Sequence, residues 1–292
     1  MFFSWYKKFS SQPHQPFFTS GILFLILFMS LFVSVYSNFL VLDNSVLTYH
    51  AYTMVFVIFI QFFLGFLFVV FPRFLIQAEI QIQEYMKQFL LYFFASLGIF
   101  LTLIFYSKVT FIFQILMLIA QIMSFKLLYS IHKKSIVKVK EDTKWVLISL
   151  FSGLVFHSLF IISSLNFPYA YELSRFAIDG GFYLFLFMVI FVISQRMIPF
   201  FTTAKAPNYV ANKSVNLLTI IFSLLAFKVI LLAFDNAKLN LLADIPLFIM
   251  ITRELIKWKL PFFKSPAIMW VLFLGLYWIP VAFFMSRSEE HT

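Results

Sequence analysis

The chain contains no cysteine. This absence excludes disulfide bonds, thiolate metal sites, iron–sulfur clusters and haem attachment through a Cys-x-x-Cys-His motif. Any metal or cofactor must therefore be held by histidine, methionine or carboxylate side chains, or by shape.

Charged residues are also scarce. Only 12% of the 292 residues are charged, whereas 62% are hydrophobic and 45 are phenylalanine, and the mean hydropathy is +0.96. A water-soluble domain of this size could not bury so much apolar surface, so we expect the lipid bilayer to be the partner of most side chains. The formal net charge of +10 does not indicate nucleic acid, because Lys and Arg fall at the ends of apolar runs and form no single patch.

Motifs for nucleotide-driven or hydrolytic chemistry are missing. The sequence has no Gly-rich phosphate loop, no nucleophile elbow and no His-x-x-x-His pair. Whether the protein is an enzyme is left open by its sequence.

Apolar stretches of about 20 residues, long enough to cross a bilayer, recur along the chain. They predict an all-α polytopic membrane bundle, a single domain over residues 1–286, with about nine transmembrane helices. The predicted spans lie near residues 17–41, 50–71, 88–106, 109–130, 145–165, 175–195, 215–234, 239–256 and 266–285.

Basic residues predict the orientation of this bundle. Lys and Arg crowd the N-terminal tail and every second loop, whereas the intervening loops hold only Lys108, Arg175 and Lys238. The positive-inside rule therefore places the N-terminus in the cytoplasm. Lys126 and Lys228 fall inside predicted spans, and we expect them to extend toward the nearer interface.

Two histidines lie within the spans, where polar groups are costly and are candidates for function. At about 100° per residue, one face of span two gathers His50, Met54, Gln61, Gly65, Phe68 and Pro72, and one face of span five gathers Ser149, Gly153, His157 and Ser164. One interpretation is a packing seam in which each imidazole hydrogen-bonds a neighbouring helix. The other is metal ligation, with His50 and Met54 as a soft nitrogen and thioether pair.

Two aspartates also lie near span ends. Asp179 and Asp244 either pair with Arg175, Lys238 or a helix terminus, or form a polar relay for protons. The stretch "SQRMIPFFTTAKAP" at 194–207 indicates that span six ends at Gln195 and Arg196, and that the chain then turns through Pro199 into a cytoplasmic loop.

Four ordered blocks resemble the NnrS family of haem- and copper-containing bacterial inner-membrane proteins linked to nitric oxide and nitrosative stress. "TYHAYTM" with "LGFLFVVFP" resembles its Trp-His-Ala-His-Glu-Met and Gly-Phe-Leu…Pro signature on the second span. "GLVFHSLF" is similar to its Asn-x-x-x-His-Leu stretch. "AIDGGFYLFLFMVIFVISQRMIPFFT" is similar to its Asp…Gly-Arg-Val-Ile-Pro-x-Phe-Thr block, and "MWVLFLGLYWIP" to its Trp-x-Leu-His-x-Gly-Tyr segment.

The resemblance implies haem and copper as cofactors, and nitric oxide as a ligand, in a bacterial cytoplasmic membrane. His50 and His157 are its implied metal ligands, Met54 and Tyr52 lie beside them, and its signature loop comprises Arg196, Ile198, Pro199, Phe201 and Thr202. The chain departs from the family pattern at four positions, where Tyr52 and Phe273 replace histidines, Thr53 replaces a glutamate and Gln195 replaces a glycine. Tyrosine can still ligate haem iron.

Two other function classes remain open from the residues. One is a secondary transporter or channel, in which Asp179, Asp244 and Arg196 would line a path. The other is a membrane partner of a respiratory enzyme that uses its spans only for packing.

The C-terminal residues "RSEEHT", Arg287–Thr292, are expected to be a read-through tail, because one codon choice for them spells a common sequencing adapter. We accordingly expect the natural protein to continue with further spans after about residue 286.

Overall fold

The computed structural model describes residues 2–42, 45–165, 167–205, 209–261 and 265–285. Throughout these ranges the regular elements are helices. The α-helices are α1 (Phe2–Phe9), α2 (His14–Tyr36), α3 (Val46–Tyr52), α4 (Phe59–Phe74), α5 (Ile82–Phe105), α6 (Thr110–Lys134), α7 (Glu141–Ser163), α8 (Ala170–Gly180), α9 (Met188–Lys205), α10 (Leu217–Leu232), α11 (Ala237–Trp258) and α12 (Ala267–Met285). A 3₁₀ turn (Ser107–Val109) precedes α6, and two π-helices lie between α3 and α4 (Thr53–Ile58, here π1) and between α8 and α9 (Gly181–Phe187, π2).

Each of the nine predicted spans falls on a helix, and the all-α membrane class is confirmed. In the described ranges, 7 helical segments are long and apolar enough to cross a membrane. The exceptions are α10, which has 16 residues, and α11, which carries several charged side chains. The count of nine spans and the cytoplasmic N-terminus therefore stay predictions, whereas the chain is a multi-pass membrane protein.

The helices group into two compact units, Met1–Phe182 and Tyr183–Thr292. In the first unit α5 packs along α6, α2 along α4, and α7 along both α6 and α8. In the second unit α11 packs between α10 and α12. The single domain predicted over residues 1–286 stays a prediction.

Glycines in the first unit allow phenylalanine rings to fill the helix contacts. A Cβ on Gly98 of α5 would lie 2.0 Å from Cδ1 of Phe113 on α6. A Cβ on Gly65 of α4 would lie 2.8 Å from Cδ1 of Phe18 on α2. Small residues thus give the close approach that membrane helices need, since lipid supplies little hydrophobic drive between them.

The π-helix π1 changes the faces of the second span. A π-helix contains one more residue per turn than an α-helix, so the faces before and after it are offset by about 100°. Gln61 and Gly65 are buried after π1, whereas His50 before it and Met54 within it are only half-buried. The predicted single stripe from His50 to Pro72 is therefore wrong, because it assumed an uninterrupted α-helix.

Candidate functional site

His157 of α7 lies at the centre of a buried hydrogen-bonded cluster in the first unit. Its ring is fully buried, as the sequence predicted for an inward-facing histidine. Its Nε2 atom lies 3.0 Å from the hydroxyl of Tyr52. Its Nδ1 atom lies 2.8 Å from Oε1 of Gln121 on α6. Both ring nitrogens thus have a partner.

The hydrogen-bond partners determine which nitrogen of His157 carries the proton. Nε2 of Gln121 donates to the backbone carbonyl of Phe56 at 2.9 Å. A carbonyl only accepts, so this end of the amide must be the NH₂ group and the other end must be an acceptor. Nδ1 of His157 consequently donates to Oε1 of Gln121, and Nε2 accepts from the Tyr52 hydroxyl. Because the ring is fully buried and no carboxylate is among these hydrogen-bond partners, the imidazole is neutral, with its lone pair directed at Tyr52.

The backbone of π1 makes this arrangement possible. In a π-helix the backbone hydrogen bonds skip five residues, and the widened turn exposes carbonyls to other donors. Phe56 lies in π1, and its carbonyl is the one that Gln121 engages. A polar side chain on α6 is thereby satisfied within the bundle, where water does not supply a partner.

Aromatic rings cover the His157 cluster. The ring of Phe56 stacks on that of His157 with centroids 4.9 Å apart and planes 13° apart. The ring of Phe160 stacks on Tyr52 at 4.4 Å and 18°. A Cβ on Gly181 would lie 2.4 Å from Cζ of Phe56. Gly181 therefore leaves the space in which Phe56 lies flat against the imidazole.

His50 occupies a different environment. Its ring is half-buried, its Nδ1 atom is buried without a hydrogen-bond partner among the described residues, and its ring centroid lies 4.3 Å from that of Phe32. It borders a small pocket with a cavity volume of about 20 Å³, which is lined by Phe28, Leu31, Phe32, Leu42, Val46, Tyr49, His50, Thr53 and Leu103. Met54 is not among the lining residues, so the predicted His50–Met54 pair is not brought together at this pocket.

The structure does not gather the predicted site residues into one metal centre. Tyr52 and His157 are brought together directly, whereas His50 faces the pocket. Over the described parts of the chain, no group of three or more His, Asp or Glu side chains is placed to hold a metal ion. His50 therefore has a ring nitrogen without a hydrogen-bond partner and lines a pocket, whereas both ring nitrogens of His157 are hydrogen-bonded.

Sequence reasoning missed the polar seam on α6. This helix buries four polar side chains along one face, namely Thr110, Gln114, Gln121 and Ser124. Their spacing of four, seven and three residues follows one helical face, and this periodicity is the signal that could have found Gln121. Ser124 continues the seam by donating to Oε1 of Gln88 at 2.6 Å.

Asp244 and Lys228 form a buried ion pair in the second unit. Nζ of Lys228 on α10 lies 2.5 Å from Oδ1 of Asp244 on α11, and their side chains are 1% and 4% exposed. The ammonium also lies 5.2 Å from the centre of the Tyr183 ring. The expectation that Lys228 extends to the interface is wrong, because an adjacent carboxylate neutralises it inside the bundle. Asp244 pairs with this lysine, and the exposed Lys238 is not its partner.

The predicted signature loop is helical. α9 continues to Lys205, so Arg196, Ile198, Pro199, Phe201 and Thr202 all lie within it. Ile198, Pro199 and Thr202 are buried, Arg196 is half-buried and Phe201 is exposed. The predicted turn at Pro199 is therefore wrong. Asp179, the other residue of the predicted polar relay, lies near the end of α8.

A lysine compensates for the proline within α9. Pro199 has no N–H to donate to the carbonyl four residues earlier, which belongs to Gln195. Nζ of Lys213 donates to this carbonyl, and also to Oε1 of Gln195 at 3.0 Å. The helix is thus held together through the proline by a side chain from the following segment.

The segment before α10 is attached to α11 by further bonds. Glu254 of α11 is buried and accepts from the Ser214 backbone N–H and the Trp258 indole, each at 2.9 Å. The Tyr209 hydroxyl donates to the Trp258 carbonyl at 2.8 Å, and burial, with a smaller contribution from Tyr277, raises the pKa of Tyr209 to about 12.

Comparison with known families covers nearly the whole chain. The family described as NnrS protein matches residues 8–289. The chain belongs to the NnrS family. No curated protein and no solved structure matches it. The family match includes both units, and therefore both the His157 cluster and the Lys228–Asp244 pair of this NnrS protein.

Proposed function

We propose that this NnrS protein binds copper or haem in a bacterial cytoplasmic membrane and serves in the response to nitric oxide. Family membership supports the general role. Two observations carry the proposal for this chain: the buried Nδ1 atom of His50 has no hydrogen-bond partner among the described residues, and His50 lines an apolar pocket. An imidazole without a protein partner is suited to ligate a metal.

The pocket offers a metal ion one imidazole ligand from His50, and its other polar lining residues are Tyr49 and Thr53. The pocket has a cavity volume of about 20 Å³, room for roughly one water molecule and far below the roughly 300–1,000 Å³ of ordinary small-molecule sites, so a porphyrin would extend beyond its lining. When bound, copper or haem iron would supply the centre at which a diatomic gas coordinates. The protein contributes the imidazole and an apolar wall, which limits access of water and influences the redox potential.

The residues at His157 do not fit such a group as they stand. Nε2 accepts a hydrogen bond from the Tyr52 hydroxyl and Nδ1 donates one to Gln121, so no lone pair is directed at a free space. Phe56 covers one face of the ring. We therefore assign no step to a metal at His157.

Metal analysis and an optical spectrum of purified full-length protein test the proposal. We expect copper, or the absorption bands of haem, in the wild-type protein, and addition of nitric oxide should shift those bands. His50→Ala should remove the metal. The matched control is His14→Ala, which removes a histidine from the start of α2, where its ring contacts Phe18.

Two results would contradict this function. One is a metal content unchanged by His50→Ala. The other is a colourless, metal-free wild-type protein, and movement of a solute across vesicles containing that protein would favour a transporter instead.

A further inference from the structure

We propose that Tyr52 keeps His157 free of metal, and that Gln121 is the positioning residue that makes this possible. The inference assigns different roles to the two histidines of the predicted spans. His50 is available to a metal, whereas His157 is hydrogen-bonded to the phenol of Tyr52. It rests on the proposed function only for the choice of copper as the metal to test.

The distance between Tyr52 and His157 supports this assignment. Bonds from metal to histidine nitrogen are about 2.0–2.1 Å long, so a metal bound to Nε2 of His157 would have to lie on its lone pair at about this distance. The Tyr52 oxygen and Nε2 of His157 are 3.0 Å apart, which is a hydrogen-bond distance. The phenolic proton thus takes the position that a metal would need.

The orientation of the ring is determined from the opposite side. Gln121 accepts from Nδ1 and is itself fixed by donating to the Phe56 carbonyl. A metal-ligating histidine commonly donates its second ring N–H to such an acceptor, which fixes the tautomer. Gln121 therefore holds His157 in the tautomer of a metal ligand, with a lone pair on Nε2. The Tyr52 hydroxyl donates its hydrogen bond to that lone pair.

This arrangement predicts what one substitution would do. An imidazole at position 52 is shorter than a phenol, so Tyr52→His withdraws the occupying group and leaves a space in front of Nε2. Two imidazoles would then face each other in a buried, apolar site, a ligand set that suits copper and zinc. Tyr52 is accordingly the residue that decides whether His157 binds a metal.

Copper titration of the full-length protein in a His50→Ala background tests the inference, because the pocket histidine is then removed. With Tyr52 present, we expect His157→Ala to leave the copper content unchanged. With Tyr52→His present, we expect about one additional Cu²⁺ per chain, lost again on adding His157→Ala. In the Tyr52→His protein, Gln121→Leu should weaken copper binding about 10–100-fold, and Gln121→Glu should restore it by keeping an acceptor oxygen.

A measurement on the wild-type protein keeps the inference testable if Tyr52→His fails to fold. The ¹⁵N signals of His157 are identified as those missing from the spectrum of His157→Asn. In the wild-type spectrum, Nδ1 of His157 should be protonated and Nε2 unprotonated. Gln121→Leu should alter this tautomer, which a purely structural role would leave unchanged.

Three results would overturn the inference. They are copper bound by His157 while Tyr52 is present, a folded Tyr52→His protein that binds no more copper than its His157→Ala control, and a wild-type His157 protonated at Nε2. Loss of metal in His50→Ala alone would not affect it, so failure of the proposed function and failure of this inference are distinguishable.

Discussion

Removal of one member of the Lys228–Asp244 pair should destabilise the second unit far more than removal of both. Lys228→Met leaves a buried carboxylate without its cation, and Asp244→Leu leaves a buried ammonium without its anion, since the side chains are only 1% and 4% exposed. Breaking such a buried pair from one side costs about 3–5 kcal/mol. The equilibrium between folded and unfolded protein should therefore shift by a factor of roughly one hundred or more.

The double substitution should behave differently. Lys228→Met with Asp244→Leu exchanges two charges for apolar groups, and similar exchanges in protein interiors are often neutral or stabilising. A charge near the centre of a membrane helix costs about 2.5–3.5 kcal/mol on insertion scales, so if α10 and α11 span the bilayer as the sequence predicts, the double variant avoids this cost at both positions. The loss of unfolding free energy in the double variant should thus be far smaller than the sum of the losses in the two single variants.

Unfolding by dodecyl sulfate in mixed micelles, followed by helical circular dichroism, measures these free energies at neutral pH. Lys238→Met is the matched control, because Lys238 is an exposed lysine at the start of α11. It should change stability by no more than about 0.5 kcal/mol. The reasoning would be refuted if Lys228→Met were as mild as this control, or if the double variant lost the sum of the two single effects.

Three further substitutions test the sites described above. Gly181→Ala should lower the free energy of unfolding by about 1–3 kcal/mol by displacing Phe56, whereas Gly275→Ala, whose Cβ would meet nothing within 4 Å, should not lower it; equal effects would contradict the packing argument. Tyr52→Phe should cost about 1–3 kcal/mol in thermal unfolding by leaving Nε2 of His157 unpaired, and the exposed Tyr36→Phe should cost almost nothing. Lys213→Met should expose α9 to limited proteolysis in the wild type but much less in Pro199→Ala, where a backbone N–H can replace the lysine; equal cleavage in both backgrounds would speak against this role of Lys213.

The positions of the helices were predictable for two reasons. A span in lipid must be helical to satisfy its backbone groups, and its side chains must be apolar, which leaves long apolar runs in the sequence. The inward orientation of His157 followed from the same logic, since an imidazole facing acyl chains is costly. Its partners did not follow. Gln121 is distant in sequence and lies on a helix whose overall composition is apolar.

The backbone irregularities could not be predicted from periodicity. No residue type marks π1, and once an extra residue enters the turn, a stripe drawn at 100° per residue is no longer valid. The proline in α9 was predicted to end the helix, because its missing N–H usually does so. The compensating Lys213 lies beyond the end of α9, and only the folded chain brings it to the Gln195 carbonyl.

The buried pair also has a consequence for biosynthesis. α10 is 16 residues long and contains Lys228; if it spans the membrane as the sequence predicts, it would enter during synthesis with an uncompensated positive charge. Asp244 follows 16 residues later, after the connection to α11. The two segments are therefore best integrated together as a helical hairpin, and the translocation machinery would have to retain α10 until its neutralising neighbour has emerged from the ribosome.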